Sequence, residues 1–450
     1  MEQFFRFKLR GTNLRTELIA GLTTFMVMAY IIFVNPSILG AAGVPFGPAL
    51  VATCLVAGVM TLAMGLWTNY PYALAPGMGI NSALVALVLT NSAVGLTWQE
   101  AMGVIFLEGL LITILVLTGL REAIMDAIPM SLKRAISVGI GLFILFIGLF
   151  NAGLIRIGQF VPTGLGVYNT LPILVTVFGL LFSIFLFVRR VKGALLWGIL
   201  VTTAFAMILH YVTGKEASVV PGTAQWPSQW TSINFSNLGA GLNFGVFGKI
   251  GILAAVLTIF SFMLSDFFDT MGTVIGIGAQ AGWVDAKGQM KGLREILIVD
   301  SVAAMVGGLA GASSATTYIE SAAGIEEGGR SGLTSVVVGV LFLLCIFLAP
   351  LAGIVPQEAT APALIIVGFL MIQQVREIPW SDWEQGIPAL FIVAFMPFSW
   401  SITNGIAWGF VTFVFIKLVL GKARQVSGLL YGAAIAFLLY LILPLIEMII

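Results

Sequence analysis

The chain has 450 residues, of which 59% are hydrophobic and 9% are charged, and its mean hydropathy is +1.07. A soluble globular domain carries roughly 25% charged residues, so this composition predicts a protein surrounded mainly by lipid. The formal net charge of +1 provides no strong field for polyanions and predicts that nucleic acid is not a partner.

Twelve apolar stretches reach or approach the length that a membrane-crossing helix needs, roughly 20 residues, and with the segments described below the sequence predicts about 14 spans, possibly 15. They lie near residues 17–36, 46–68, 99–120, 135–153, 168–188, 192–213, 246–270, 294–312, 333–354, 359–375, 386–420 and 427–449. The stretch 386–420 is long enough for two passes, with a break after Pro397. Two further segments, 76–91 and 318–328, are too short to cross and are interrupted by small residues. The last run, 427–449, is either a fourteenth or an additional span.

Basic residues recur in every second predicted loop, among them Lys133, Arg189 and Lys291. By the positive-inside rule, this pattern places the N-terminal segment, residues 1–16, in the cytoplasm. The loop at 214–245 is polar and poor in basic residues, so we expect it to be external. The sequence therefore predicts a multi-pass protein of the plasma membrane.

The two halves of the chain resemble each other. The segment GVIFLEGLL from Gly103 recurs as GVLFLLCIF from Gly339. A proline and then a glycine follow at equal spacing in both copies, namely Pro129 and Gly141, and Pro356 and Gly368. Seven spans per half is an odd number, so the second half enters the membrane from the opposite face. We expect inverted repeats at residues 17–213 and 246–450.

The two short segments occupy matching positions, each third in its half. They read YALAPGMG from Tyr72 and YIESAAG from Tyr318. Inverted repeats with interrupted segments at matching positions are typical of secondary transporters whose site lies at the bilayer midplane. Irregular backbone is tolerated there only where it lines a cavity, and the N-termini of half-helices supply hydrogen-bond donors. The predicted fold is therefore an all-α polytopic membrane protein with two broken segments.

Acids inside the membrane are functional candidates, because each costs about 2.5–3.5 kcal/mol on insertion scales. Asp266, Asp269 and Thr273 are spaced i, i+3 and i+7 and share one helix face. Glu320 lies in the second broken segment among small residues. Close carboxylates favour binding of a proton, so Asp269, Asp266 and Glu320 are the predicted proton-coupling residues.

Other polar residues at membrane depth are expected to be structural. We expect Asp300 and Glu108 to pack between helices, and the repeat counterpart of Glu108 is Leu344. The single histidine, His210, ends an apolar run, and both cysteines lie in apolar runs. No Cys/His metal cluster, P-loop or dinucleotide fingerprint occurs, so the sequence predicts no enzyme, no metal and no cofactor.

Four motifs together resemble the AzgA-like purine permeases of the nucleobase:cation symporter-2 (nucleobase/ascorbate transporter) group. They are APGMGIN from Ala75, SDFFDTMGT from Ser265, TTYIESAAGIEEGGRSGL from Thr316 and SITNGIAWG from Ser401. The resemblance covers almost the whole chain. It implies 14 segments in a seven-plus-seven inverted repeat with core and gate domains. It also implies import of purine bases with protons, and such folds often form homodimers through the gate domain.

The resemblance also implies the site. Asp269 takes the place of the substrate- and proton-linked acid, Glu320 that of the substrate-binding acid, and Asn81 that of a polar residue on the third segment. Family members commonly have aromatic residues after this asparagine, whereas Ser82 follows here. The predicted substrate-binding set is Glu320, Asp269, Asn81, Gly77, Met78 and Thr317.

The predicted function is therefore proton-coupled purine import, with guanine or hypoxanthine preferred over adenine. A carboxylate only accepts hydrogen bonds, and guanine presents two parallel donors that match its two oxygens. The alternative on the same architecture is a transporter of uracil, xanthine, an oxyanion or another small solute. A channel and a membrane receptor are alternatives of a different class.

Overall fold

The computed structural model describes residues 2–119, 128–157, 163–220, 222–226, 233–283 and 290–449. Parts of the predicted loop 214–245, residues 221 and 227–232, lie outside the described residues. Within the described part, nine helices are long and apolar enough to cross a membrane. Shorter apolar helices and the more polar helix Leu293–Ala310 lie between them.

The described residues of the first half of the chain form seven spans. In chain order, its elements are α1 (Glu2–Phe5), α2 (Phe7–Arg10), α3 (Leu14–Met28), α4 (Ile31–Gly40), α5 (Phe46–Ala63), β1 (Leu74–Pro76), α6 (Met78–Thr90), α7 (Trp98–Thr118), α8 (Met130–Asn151), β2 (Ile155–Ile157), β3 (Thr163–Leu165), α9 (Leu171–Val188) and α10 (Ala194–Thr213). Helices α3 and α4 form one span with a turn between them, and β1 with α6 forms the third span.

The second half repeats this order. Its elements are α11 (Val246–Ile250), α12 (Ile252–Gln280), α13 (Leu293–Ala310), β4 (Ala315–Thr317), α14 (Ser321–Glu326), α15 (Gly332–Cys345), α16 (Ala349–Ala352), α17 (Gln357–Ile372), α18 (Trp383–Phe398), α19 (Ile402–Val419) and α20 (Gly428–Ile449). Strand β4 and the half-helix α14 form the third span of this half.

The structure confirms the predicted break in the stretch 386–420. Helix α18 ends at Phe398, and Trp400 adopts a left-handed conformation with φ of 51°. The Ser401 side chain then caps α19 by accepting a hydrogen bond from the Asn404 N–H at 3.2 Å. Because seven spans of the second half precede it, α20 is an additional helix, and it packs against α19 and α12.

The eighth span differs from its predicted limits of 246–270. Gly251, with φ of 83°, separates the short α11 from α12, and α12 continues to Gln280. The polar face that includes Asp266 and Asp269 lowers the hydropathy of this stretch without ending the helix. A helix packed inside a bundle keeps its hydrogen bonds whatever the polarity of one face.

The helices divide into two packed groups. In the core group, α7 packs against α13, and α15 packs against α3 and α5. In the gate group, α8 packs against α17 and α18, and α9 and α10 pack against α17. Strands β1 and β4 belong to the core group and form an antiparallel pair in which Leu74 lies opposite Thr317. The predicted core and gate domains and the two strand-plus-half-helix segments are thus present.

The glycines matched by the repeat lie against each other. A Cβ atom on Gly141 of α8 would lie 2.6 Å from Met371 Cβ, and one on Gly368 of α17 would lie 2.7 Å from the Gly141 carbonyl oxygen. Equivalent residues of two copies contact each other where a two-fold axis passes between them. The contact therefore locates the pseudo-symmetry axis of the inverted repeat between α8 and α17.

We predict that Gly368→Val destabilises the protein by about 1–3 kcal/mol, because the added atoms overpack the α8–α17 contact. The measurement is the thermal unfolding midpoint of the purified protein in detergent. Gly432→Val is the matched control, since a Cβ atom on Gly432 of α20 meets no atom within 4 Å. Equal midpoints for the two variants would contradict the close approach of these helices.

Candidate functional site

The crossing of β1 and β4 forms the rigid centre of the core group. The Gly77 N–H donates to the Ser314 carbonyl at 2.8 Å, and the Tyr318 N–H donates to the Ala73 carbonyl at 2.9 Å. The Tyr318 hydroxyl donates to the Pro76 carbonyl at 2.5 Å. These bonds extend the pairing beyond both strand ends, so the helices that begin there have fixed positions.

Side chains satisfy the outer edge of β1. The Leu74 N–H donates to Thr61 Oγ1 at 2.9 Å, and the Thr61 hydroxyl lies 3.0 Å from the Leu74 carbonyl. The Ala73 N–H donates to Ser321 Oγ at 3.0 Å. Unpaired backbone groups at membrane depth cost several kcal/mol each, so these side chains make a short buried strand possible.

Glu320 lies at the start of α14 and is half-buried. The Tyr30 hydroxyl, in the turn between α3 and α4, donates to Glu320 Oε1 at 2.6 Å. No other side chain of the described residues donates a hydrogen bond to this carboxylate, so most of its accepting capacity is free. Sequence reasoning missed Tyr30, because an isolated tyrosine in an apolar run carries no motif.

Asp269 is half-buried on α12, and its carboxylate has no hydrogen-bond partner among the described residues. It lies within electrostatic range of Asp300 and Glu320. The structure therefore brings together the two acids that the sequence places in the substrate site, Asp269 from α12 and Glu320 from the crossing.

Asp300 of α13 ties the crossing to α12. Its Oδ1 atom accepts hydrogen bonds from the N–H and the hydroxyl of Thr317, both at 2.7 Å. Its Oδ2 atom accepts one from the Thr270 hydroxyl, also at 2.7 Å. The structural role expected for Asp300 matches this arrangement. Thr317, predicted to bind substrate, uses both of its donors to hold β4 in place.

The side chain of Asn81 points toward α4 rather than toward the two acids. It is fully buried, and its Nδ2 atom donates to Asn35 Oδ1 at 2.5 Å. Asn35 in turn donates to Thr53 Oγ1 at 2.7 Å and to the Ala312 carbonyl at 3.0 Å. In this conformation Asn81 orients α6 against its neighbours in the core.

Gly77 and Met78 lie where β1 passes into α6. The first N–H groups of a helix have no acceptor within the helix, so the first turn of α6 presents donors at the crossing. The neighbouring Gly79 lies against the gate group, where its Cβ atom would be 2.7 Å from Ile140 Cγ2 of α8. The core and the gate therefore meet at the start of this half-helix.

A cavity of about 460 Å³ lies between α6, α12, α20 and the break between α18 and α19. Phe262 of α12 lines it, and it also reaches Trp400 and Asn404. Phe262 precedes Asp269 by seven residues, which places Asp269 about 10 Å further along the same helix face. The cavity thus lies between helices of the core and gate groups, and neither Asp269 nor Glu320 lines it.

The arrangement combines acceptors and donors. Two half-buried carboxylates can accept hydrogen bonds from a solute, and the first turn of α6 can donate to it. Among the described residues, no group of three or more His, Cys, Asp and Glu could hold a metal ion. The site therefore suits a small solute with several polar edges.

Solved structures show the same fold. The transmembrane domain of a cyanobacterial bicarbonate transporter, BicA, aligns with a TM-score of 0.64 at 16% identity, over 88% of this chain and 97% of that chain. The murine Solute Carrier 26 family member A9 anion transporter, in the inward-facing state, aligns with a TM-score of 0.67 at 13% identity, over 91% of this chain and 69% of that one. Both are transporter membrane domains with the inverted-repeat architecture.

Comparison of amino-acid sequences identifies closer relatives than the comparison of folds does. The adenine permease AdeP of Escherichia coli is 40% identical over 98% of this chain and 96% of its own length. The guanine/hypoxanthine permease PbuO of Bacillus subtilis is 39% identical over 97% and 99%. The nucleobase transporter PlAzg2 of Paenibacillus larvae is 35% identical over 90% and 78%.

A family model described as "Permease family" matches residues 15–408, which include both strands of the crossing, Asp269 and Glu320. This match and the near full-length relatives agree with the resemblance carried by the four sequence motifs. The chain belongs to the permease family, among the AzgA-like purine permeases.

Proposed function

We propose that the protein is a secondary active transporter that imports purine nucleobases together with protons by alternating access. The observation that carries this proposal is the pair of half-buried carboxylates, Asp269 and Glu320, beside the strand crossing of a family member. The names of the relatives support the substrate class. Their permease names also support a transporter rather than an enzyme.

Glu320 is proposed to bind the base. Its two oxygens accept two parallel N–H donors, such as the ring N–H and the exocyclic amine of guanine. The hydrogen bond from the Tyr30 hydroxyl to Oε1 fixes the orientation of this carboxylate. The N–H group of Met78 is proposed to donate to the opposite edge of the base. Gly77, whose own N–H donates to the Ser314 carbonyl, is proposed to hold the start of α6 beside the base, while Asn81 and Thr317 position the two segments.

Asp269 is proposed to bind the coupled proton. Because Asp269 and Glu320 act on each other electrostatically, a proton on Asp269 lowers the charge of the loaded site. A less charged core moves past the gate at lower cost. At the higher pH inside the cell, Asp269 releases the proton, and its charge then weakens binding of the base. Asp266, on the same helix face, is proposed as a further proton-handling residue.

We propose guanine or hypoxanthine as the preferred base, with adenine second. Adenine lacks a ring N–H at the corresponding position, so it needs a donor from the protein at Glu320. Relatives named for adenine and for guanine/hypoxanthine are equally close, at 40% and 39% identity, and so do not separate the bases. A transporter of uracil, xanthine or another planar solute is the alternative, and competition among labelled bases distinguishes them.

The remaining parts of the proposal concern the setting of the transporter. We propose a plasma-membrane protein with residues 1–16 in the cytoplasm, repeats at 17–213 and 246–450, the second of which ends with the additional helix α20, and an external loop at 214–245. A homodimer formed through the gate group is the proposed assembly. Cysteine labelling from each side of the membrane tests this orientation.

We predict that Glu320→Gln lowers kcat/KM for guanine uptake by about 100-fold or more. Two hydrogen bonds to a charged acceptor are weakened, and each contributes about 1.5–3 kcal/mol. The measurement is saturable uptake of labelled base in a host that lacks its own purine transporters. Glu327→Gln is the matched control, because the Glu327 side chain forms a surface ion pair with Lys192 and has no other partner among the residues that the structure describes. Unchanged uptake in Glu320→Gln would refute the binding assignment.

We predict that Asp269→Asn still exchanges labelled for unlabelled base but no longer accumulates base against its gradient. Exchange needs only binding and movement of the core, whereas accumulation needs release of the coupled proton. Both are measured in proteoliposomes with an imposed pH gradient. Asp382→Asn is the control, since Asp382 caps α18 and asparagine caps equally well.

The coupling ion is tested in the same proteoliposomes. A protonophore should abolish accumulation by the wild-type protein, and replacing sodium should have no effect. The opposite pattern would show that sodium, not the proton, drives transport.

A further inference from the structure

Most buried acids of this protein are satisfied by hydrogen-bond donors. Glu17 accepts hydrogen bonds from the N–H groups of Arg330, Ser331 and Thr334 and from the Thr334 hydroxyl. Glu358 accepts one from the Ser218 hydroxyl at 2.8 Å and one from the Val219 N–H at 2.7 Å. Such donors stabilise a buried carboxylate in its charged form.

Glu108 of α7 is different. Its side chain is fully buried, and neither carboxyl oxygen has a hydrogen-bond partner within the described part of the chain. It forms none of the salt bridges found among the described residues. Glu100, which forms an ion pair with Lys249 of α11, is on the same helix as Glu108 but two turns away, about 12 Å. An isolated carboxylate in such a place is strongly disfavoured.

Asp266 of α12 lies within electrostatic range of Glu108. It is 1% exposed, and no described residue forms a hydrogen bond with its Oδ1 atom. Ser314, next to β4, donates its hydroxyl to Asp266 Oδ2 at 3.3 Å and lies beside Glu108 as well. One hydroxyl hydrogen cannot serve both acids, so the pair has more acceptors than donors.

The other charged groups acting on this pair are acids. Asp300 of α13 acts on both members, and Asp269 acts on Asp266 from the next turn of α12. Asp300 itself accepts hydrogen bonds from Thr270 and Thr317. Two more negative charges in this environment would repel each other and their neighbours.

We infer that Glu108 and Asp266 together bind one proton, in a site beside the start of β4 that is separate from the Asp269–Glu320 pair. One carboxyl group donates its O–H to the other, which supplies the missing donor and removes one of the two charges. Proton binding by Asp266 is part of the proposed function. The site that Asp266 shares with Glu108 extends the proposed function, because this site holds a proton when no substrate is bound.

The inference predicts how stability depends on pH. A proton that is bound in the folded protein and released on unfolding makes the stability fall as the pH rises. In Glu108→Gln, the amide of the new side chain donates to Asp266, so the proton is no longer needed. We therefore expect the unfolding midpoint of this variant to fall less steeply from neutral to alkaline pH than that of the wild type. The difference between the two slopes corresponds to one proton fewer released on unfolding.

The experiment uses the purified full-length protein without substrate. Thermal unfolding is measured against pH for the wild type, Glu108→Gln, Asp266→Asn and the control Glu358→Gln. Infrared spectroscopy in H₂O and D₂O records the C=O band of a protonated, buried carboxyl group. We expect this band in the wild type and in Glu358→Gln, and its loss in Glu108→Gln.

Two results would overturn the inference. One is a pH profile of Glu108→Gln that is parallel to that of the wild type. The other is an infrared spectrum of Glu108→Gln whose protonated-carboxyl bands are the same as those of the wild type. If Glu108→Gln does not fold, Asp266→Asn provides the same comparison from the other side of the pair. Neither measurement involves uptake, so failure of the purine proposal leaves this test unaffected.

Discussion

The structure depends on one constraint, which is that backbone N–H and C=O groups at membrane depth must find partners within the protein. A strand of three residues satisfies few of them alone. Strand β1 therefore pairs with β4 from the other half of the chain, and Thr61 and Ser321 complete its hydrogen bonds. Neither half-helix is positioned without the opposite repeat, so the site exists only when both halves have folded together.

The fold supports more than one kind of solute. The two structural neighbours are named as bicarbonate and anion transporters, and they share the architecture at low sequence identity. An anion binds poorly beside carboxylates, because like charges repel. Asp269 and Glu320 lie where the broken segment meets α12, so acids in this position favour a solute that donates hydrogen bonds.

Much of the fold was predictable because a lipid environment leaves a strong pattern. Run length located most spans, and the repeat spacing matched Gly141 with Gly368, which are in contact. The predicted limits of α12 were wrong because hydropathy falls where a helix has a polar face, even when neighbouring helices enclose that face. The acids Asp269 and Glu320 stand out in apolar surroundings, whereas Tyr30 and the burial of Asn81 depend on contacts between distant segments, which no local pattern records.

The contact between Gly79 and Ile140 has a consequence for motion. Core and gate must slide past each other during transport, and here they meet through a residue without a side chain. A larger residue at position 79 would have to displace Ile140 at each passage, which adds a rotamer change to the path. Glycine at position 79 avoids this rotamer change, so core and gate can pass at the start of α6 without movement of the Ile140 side chain.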